Sequence, residues 1–140
     1  MRNPAIGTFW PSCFRLCLTV IFFAESGGKV LEAGCGNGIL SRRVSEAFPK
    51  STVHGVDISE DAIKIAQNVA SEQKLSNVSY SIEDLSALPS DMSGTYDFAY
   101  SHFVIHDVPR ASMALKEIFR VLKPGIFPPC FYLKHCKMNS

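Results

Sequence analysis

Neither sign of charge dominates this chain, and runs of like charge are absent: 14 Lys and Arg stand against 13 Asp and Glu, for a formal net charge of +1. That balance lacks the electrostatic footprint of a protein that tracks a nucleic-acid backbone or an anionic membrane, so neither is expected as a partner. A segment long enough to span a bilayer is also missing. The apolar run at residues 16–24 holds nine residues, whereas a helical span needs about 20. Metal-site spacing is lacking too, because Cys13 and Cys17 stand at i, i+4 with no second Cys or His pair at zinc spacing, and no metal is expected. The five cysteines are odd in number and irregularly placed, and Cys35 lies inside a glycine turn, which points to reduced thiols.

Residues 1–24 differ from the rest. They carry Arg2 and Arg15, no acidic residue and the apolar run, and form an atypical N-terminal segment. A buried first element is the plain reading. A cleaved targeting peptide is the alternative, weakened by Ala24-Glu25-Ser26, a poor small-residue cleavage site. With 140 residues, 46% of them hydrophobic, the chain should form one soluble domain with a modest core, and the cytoplasm is the expected compartment.

What is present is concentrated in Val30-Leu31-Glu32-Ala33-Gly34-Cys35-Gly36-Asn37-Gly38, followed after a second apolar run by Asp57. A short apolar strand that runs into alternate glycines and then a helical pattern is the place where α/β folds hold nucleotide-like ligands. A dinucleotide fingerprint would need glycine at position 39, where Ile39 stands. Glu32 would repel a pyrophosphate and attract an amino group, so the expected ligand is a cationic nucleoside without phosphate.

Alternating periods predict strands at residues 29–33, 52–56, 78–82 and 96–101. Helices are predicted after Gly38 as far as Pro49, from an N-cap at Ser59, and from near Pro109 to Lys123-Pro124-Gly125. Strands that alternate with helices across short connections imply an α/β fold with a mostly parallel sheet. Pro128-Pro129 then interrupts what should be a central fifth strand.

From Glu32 and the G-x-G-x-G turn onward, the chain resembles the class I S-adenosylmethionine-dependent methyltransferases. The resemblance extends through Val53-His54-Gly55-Val56-Asp57-Ile58-Ser59, Val78-Ser79-Tyr80-Ser81-Ile82-Glu83-Asp84, Tyr96-Asp97-Phe98-Ala99-Tyr100-Ser101 and Leu115 to Gly125, in the family's order. Within that family it resembles the small-molecule, quinone-biosynthesis-like type. It implies a Rossmann-like three-layer sandwich with C-terminal strands missing or incomplete, divided into the segment 1–24, a cofactor-binding core at 25–125 and a divergent tail at 126–140.

The resemblance further implies that Glu32, Gly34, Gly36 and Gly38 hold the methionine part of S-adenosylmethionine and that Asp57 binds the ribose hydroxyls. Ile58 would pack on the adenine and Asp84 accept from its amino group, with Ser101 in the same cofactor set. For Asp57 and Asp84 a plain capping or loop role stays open. His102 and His106, after the fourth strand, are candidate catalytic bases, with backbone hydrogen bonding as the alternative. His54, inside a strand, reads as a satisfied core residue. The Asn-Pro-Pro-Tyr-like signature of amino-directed nucleic-acid methyltransferases is missing, which favours a small-molecule acceptor. The leading expectation is in-line methyl transfer, and the competing one is a cofactor-binding remnant with little activity. Loss of the last strands would leave an open sheet edge for self-association.

Overall fold

The computed structural model describes residues 26–102, 104–125 and 130–132. The expectations for residues 1–24, including Cys13 and Cys17, and for Pro128-Pro129 lie outside the described residues. Five strands, β1 (Lys29–Ala33), β2 (Thr52–Asp57), β3 (Val78–Ile82), β4 (Phe98–His102) and β5 (Cys130–Tyr132), form one sheet. Their order is β3-β2-β1-β4-β5, and every pairing is parallel. Among the described residues, three helices of eight or more residues lie between the strands: α1 (Ile39–Ala47), α2 (Glu60–Glu72) and α3 (Ala111–Val121).

Strand alternation explains the layers. Val30, Val53, Phe98 and Tyr100 point to the face covered by α1, where they meet Val44, Ala47 and Phe48. On that same face Tyr80 meets Ile63, Ala66 and Ala70 of α2. Leu31, Ala33, Val56 and Ala99 point to the opposite face and pack against Ala114, Ile118 and Val121 of α3, with Leu85, Leu88 and Met92 from the β3–β4 connection. A central strand buried on both faces has to be apolar at consecutive positions, which is why Val30-Leu31 and Phe98-Ala99 occur as pairs. Arg120 of α3 holds the connection in place, with two hydrogen bonds to Glu117 (2.8 and 2.6 Å) and one to the carbonyl of Leu88 (2.8 Å).

The predicted strands differ from those observed in three places, the first being β2, which runs one residue further, to Asp57. β4 begins at Phe98 and runs to His102, because Tyr96 makes only an isolated bridge to Leu122 and its hydroxyl engages His54. Beyond the two prolines, Cys130–Tyr132 forms a short fifth strand against Tyr100–His102. The prolines precede the paired residues, so the ladder amides of those three residues are retained. The sheet thus extends one short strand past β4.

Successive strands step outward from β1 to β3, and then β4 returns to the other side of β1. This reversal opens a crevice at the C-terminal ends of β1 and β4, the position where open α/β sheets bind ligands. No helix among the described residues is long and apolar enough to cross a membrane.

His54 behaves as expected. It is half-buried in β2, with Nδ1 against the Tyr96 hydroxyl (2.5 Å) and Nε2 against the Ser81 hydroxyl (2.8 Å). Burial lowers its pKa, opposed only by the nearby charge of Glu83. A histidine whose folded pKa lies below its unfolded one contributes stability that is present above the unfolded value and is lost as pH falls through it. Melting temperature should therefore decline between about pH 7 and pH 5.5, and decline less steeply in His54→Gln. Equal slopes for parent and variant would contradict the neutral assignment.

Candidate functional site

The turn after β1 is stitched to the end of β2. The amides of Gly34 and Cys35 both donate to the carbonyl of Val56 (2.8 and 2.9 Å), and the amide of Gly36 donates to Oδ2 of Asp57 (2.8 Å). Oδ1 of Asp57 accepts from the amide of Ser59 (3.0 Å), whose side chain in turn caps α2 by accepting from Ala62 (3.3 Å). The cap of α2 is thus Ser59, and Asp57 orients the amide of that cap residue. An ionised carboxylate has about four acceptor positions, so these two bonds leave capacity on both oxygens.

Two of the glycines serve different ends. Gly38 has φ +74°, and a Cβ there would lie 2.5 Å from the hydroxyl of Tyr80, which crosses from β3 over Gly55 and bonds to Ser41 Oγ (3.0 Å) and the Gly38 carbonyl (3.3 Å). Gly38 is thus required by packing as well as by its left-handed backbone. Gly36, with φ +53°, has nothing within 4 Å of a Cβ. It faces the open cleft.

The crevice comprises two clefts that share Gly34, Asp57 and Val104. The first, about 430 Å³, is lined by Asp57, Ile58, Asp84, Leu85, Ser86 and Arg110 among others. The second, about 510 Å³, is lined by Glu32, Cys35, Gly36, Asn37, Arg43 and His102 among others. Val104 stands between them, packed so closely on Gly34 that a Cβ on that glycine would lie 2.5 Å from its Cγ1.

Glu32 is the electrostatic centre of the second cleft. It is 2% exposed, and its Oε2 has no hydrogen-bonding partner. Burial pushes its pKa up to about 8, with the hydroxyls of Ser41 and Tyr100 acting in the opposite direction and the charge of Asp57 adding to the rise. Burial likewise pushes up the Cys35 thiol, reinforced by the charges of Glu32 and Asp57, which leaves it a poor nucleophile.

Of the residues singled out in the sequence, Glu32, Gly34, Gly36, Asp57, Ile58, Asp84 and His102 line the crevice, and Gly38 closes the turn beneath it. Ser101 lines neither cleft. Strand alternation turns it to the face opposite Tyr100 and His102, where its buried hydroxyl oxygen has no hydrogen-bonding partner. Burial lowers the pKa of His102. His106 belongs to the 3₁₀ turn Ile105–Asp107, and its side chain lies outside the described residues. Sequence reasoning missed Tyr80, Val104, Arg43 and Arg110. Alternation gives Tyr80 a face but not its reach across Gly55, and no local pattern marks the other three.

A family model described as a methyltransferase domain matches residues 24–128. The chain is 36% identical over 101 residues to a ubiquinone biosynthesis O-methyltransferase of Coxiella burnetii, which covers 71% of this chain and 41% of that protein. A solved S-adenosylmethionine-dependent methyltransferase from Aquifex aeolicus superposes with a TM-score of 0.69 at 24% identity, covering 81% of this chain and 59% of that one. The chain belongs to the S-adenosylmethionine-dependent methyltransferase family. The solved [4+2]-cyclase SpnF shares the fold as well, with a TM-score of 0.68 at 30% identity over 76% of this chain and 41% of that one. The chain spans less than half the length of the first curated relatives it matches.

The site's chemistry suits the family's cofactor. A buried carboxyl oxygen without a partner calls for a hydrogen-bond donor with positive charge, and the open space above Gly36 admits one. Without it, Glu32 is a liability to the fold. Its folded pKa of about 8 against an ordinary 4.5 means that the native chain holds a proton that the unfolded chain releases, so stability falls as pH rises across that window. Glu32→Gln should melt above the parent at pH 8, with the difference closing toward pH 4.5. A variant that melts lower at pH 8 would contradict the assignment of Glu32 as a buried carboxyl with an incompletely partnered oxygen.

Proposed function

We propose that this chain binds S-adenosylmethionine across both clefts and supports methyl transfer to a small-molecule acceptor of the phenolic or quinone-like class. The observation that carries the reading is the unpartnered, buried Oε2 of Glu32 beside a glycine turn whose middle glycine opens on free space. The bound cofactor supplies an electrophilic methyl group on a sulfonium, so the protein has to orient, desolvate and deprotonate the acceptor rather than provide a covalent nucleophile.

In this reading the Glu32 carboxyl takes the amino group of the methionine portion, with the turn Gly34 to Gly38 against it. Asp57 accepts from the ribose hydroxyls while its backbone bonds to Gly36 and Ser59 keep it oriented. Ile58, 72% exposed, covers one face of the adenine, and Asp84 accepts from the ring amino group. His102 lines the second cleft, and burial favours its neutral form, so it is the group suited to take a proton from an acceptor hydroxyl. His106 remains a second candidate base from the sequence. The phenolic class draws support from the name of the Coxiella relative, and the cytoplasm remains the compartment proposed.

A second reading rests on the match to SpnF: the same fold can carry a reaction other than methyl transfer. Titration with S-adenosylhomocysteine, followed by incubation with methyl-labelled S-adenosylmethionine and a panel of phenols and hydroquinones, separates the two. Binding with label transfer is expected. Binding without transfer to any of them favours the second reading, and no binding overturns both. Asp57→Ala should weaken S-adenosylhomocysteine by about 1 to 3 kcal/mol, the range for leaving buried hydroxyls unpaired. An unchanged affinity would remove Asp57 from the ribose site.

A further inference from the structure

The first cleft ends in an ion pair of which the methyl-transfer reading uses only Asp84 and leaves Arg110 without a role. Asp84 follows β3 and Arg110 caps the start of α3, so the two are far apart in sequence and belong to separate connections. Nonetheless Nη2 of Arg110 lies 3.4 Å from Oδ2 of Asp84, and both side chains line the cleft together with Leu85, Ser86 and Ile58. The pair is 57% and 42% exposed, and an ion pair so well solvated contributes little to folding.

Its arrangement is nevertheless specific. Oδ1 of Asp84 is fully engaged, accepting from the amide (2.8 Å) and the hydroxyl (2.6 Å) of Ser86. These two bonds hold the carboxyl below the usual carboxylate range, so it is ionised and acceptor-only at neutral pH. Oδ2 faces Arg110. A guanidinium carries five N–H donors, and only Nη2 is directed at Asp84. The cleft therefore presents an acceptor held by Ser86 beside the guanidinium donors of Arg110, over a floor that includes Leu85, Val108 and Pro109.

We propose that Arg110 and Asp84 together read the amino-bearing edge of adenine and reject a 6-oxopurine, which makes Arg110 a specificity-determining residue. The proposal rests on the assignment of the first cleft to adenosine. Adenine displays an amino donor next to the ring-nitrogen acceptor N1, the complement of an Asp84 acceptor next to an Arg110 donor. Hypoxanthine displays the reverse, a carbonyl oxygen next to N1–H. Its oxygen would meet the carboxylate, and its N–H would meet the guanidinium. A site built around fixed hydrogen-bonding groups discriminates strongly against a ligand that leaves them mispaired. Asp84 alone would repel the carbonyl, but only the paired Arg110 turns N1 into a second point of discrimination.

The test is calorimetric titration of the full chain with S-adenosylhomocysteine and with its deaminated counterpart, S-inosylhomocysteine. The parent, Arg110→Ala and Arg110→Gln are compared, with melting temperature as the control for folding. The parent should prefer the adenosyl ligand by about a hundredfold or more, the sum of two mispaired contacts. Arg110→Ala should bind S-adenosylhomocysteine about tenfold more weakly, and its preference should narrow by about tenfold, with an unchanged melting temperature. Arg110→Gln should narrow it similarly, since a side-chain amide can either donate or accept. A parent that binds S-adenosylhomocysteine, with the same selectivity in both variants, overturns the role of Arg110 and leaves the adenosine assignment standing. A parent that binds neither ligand overturns both.

Discussion

Three consecutive amides at the end of β1 are tied to the end of β2, Gly34 and Cys35 through the Val56 carbonyl and Gly36 through the Asp57 carboxylate. This anchorage fixes the glycine turn in space, and nearly every feature of the crevice depends on it. It leaves Gly36 facing open space and brings Gly38 under the Tyr80 hydroxyl. It also keeps Asp57 oriented by two backbone donors while its remaining acceptor positions stay available. Because β1 lies at the centre of the sheet between β2 and β4, the same turn contributes to both clefts.

The site carries its tension in Glu32. A carboxyl buried on the α1 face of the central strand, with one oxygen unpartnered, weakens a fold that a neutral side chain would serve better. Such a group is understandable where a ligand's positive charge completes it, in keeping with the general trade between stability and function. The adenosine end is arranged differently. There the polar groups are exposed and already paired, Asp84 with Ser86 and Arg110, so a ligand exchanges partners rather than filling a void.

Much of this was legible in the sequence because it is local. Ser59 as the cap of α2, the extents of β1 and β3 and the glycine turn all follow from short-range periodicity and turn chemistry. Long-range side-chain geometry escaped. Tyr80 looks like an ordinary inward-facing strand residue until the small Gly55 on β2 lets it reach Ser41 and Gly38, and the pairing of Arg110 with Asp84 joins two loops that no sequence pattern connects. The alternation of its neighbours predicts strand at Tyr96, yet its backbone makes only an isolated bridge to Leu122. The prolines at 128 and 129 argued against a fifth strand, but the ladder begins one residue beyond them. Ser101 has the sequence context of a cofactor residue, and strand alternation turns it away from the crevice.

Amide hydrogen exchange of the chain with and without saturating S-adenosylhomocysteine tests the central claim most directly, because it reads the backbone of the whole crevice at once. Ligand should slow exchange at Gly34 to Gly38, at Asp57 to Ser59 and at Asp84 to Ser86, with the far end of the sheet, at Lys29 and Thr52, unchanged. Protection that avoids those three segments, or none at all under conditions where the ligand binds, would contradict the placement of the cofactor at the switch point between β1 and β4.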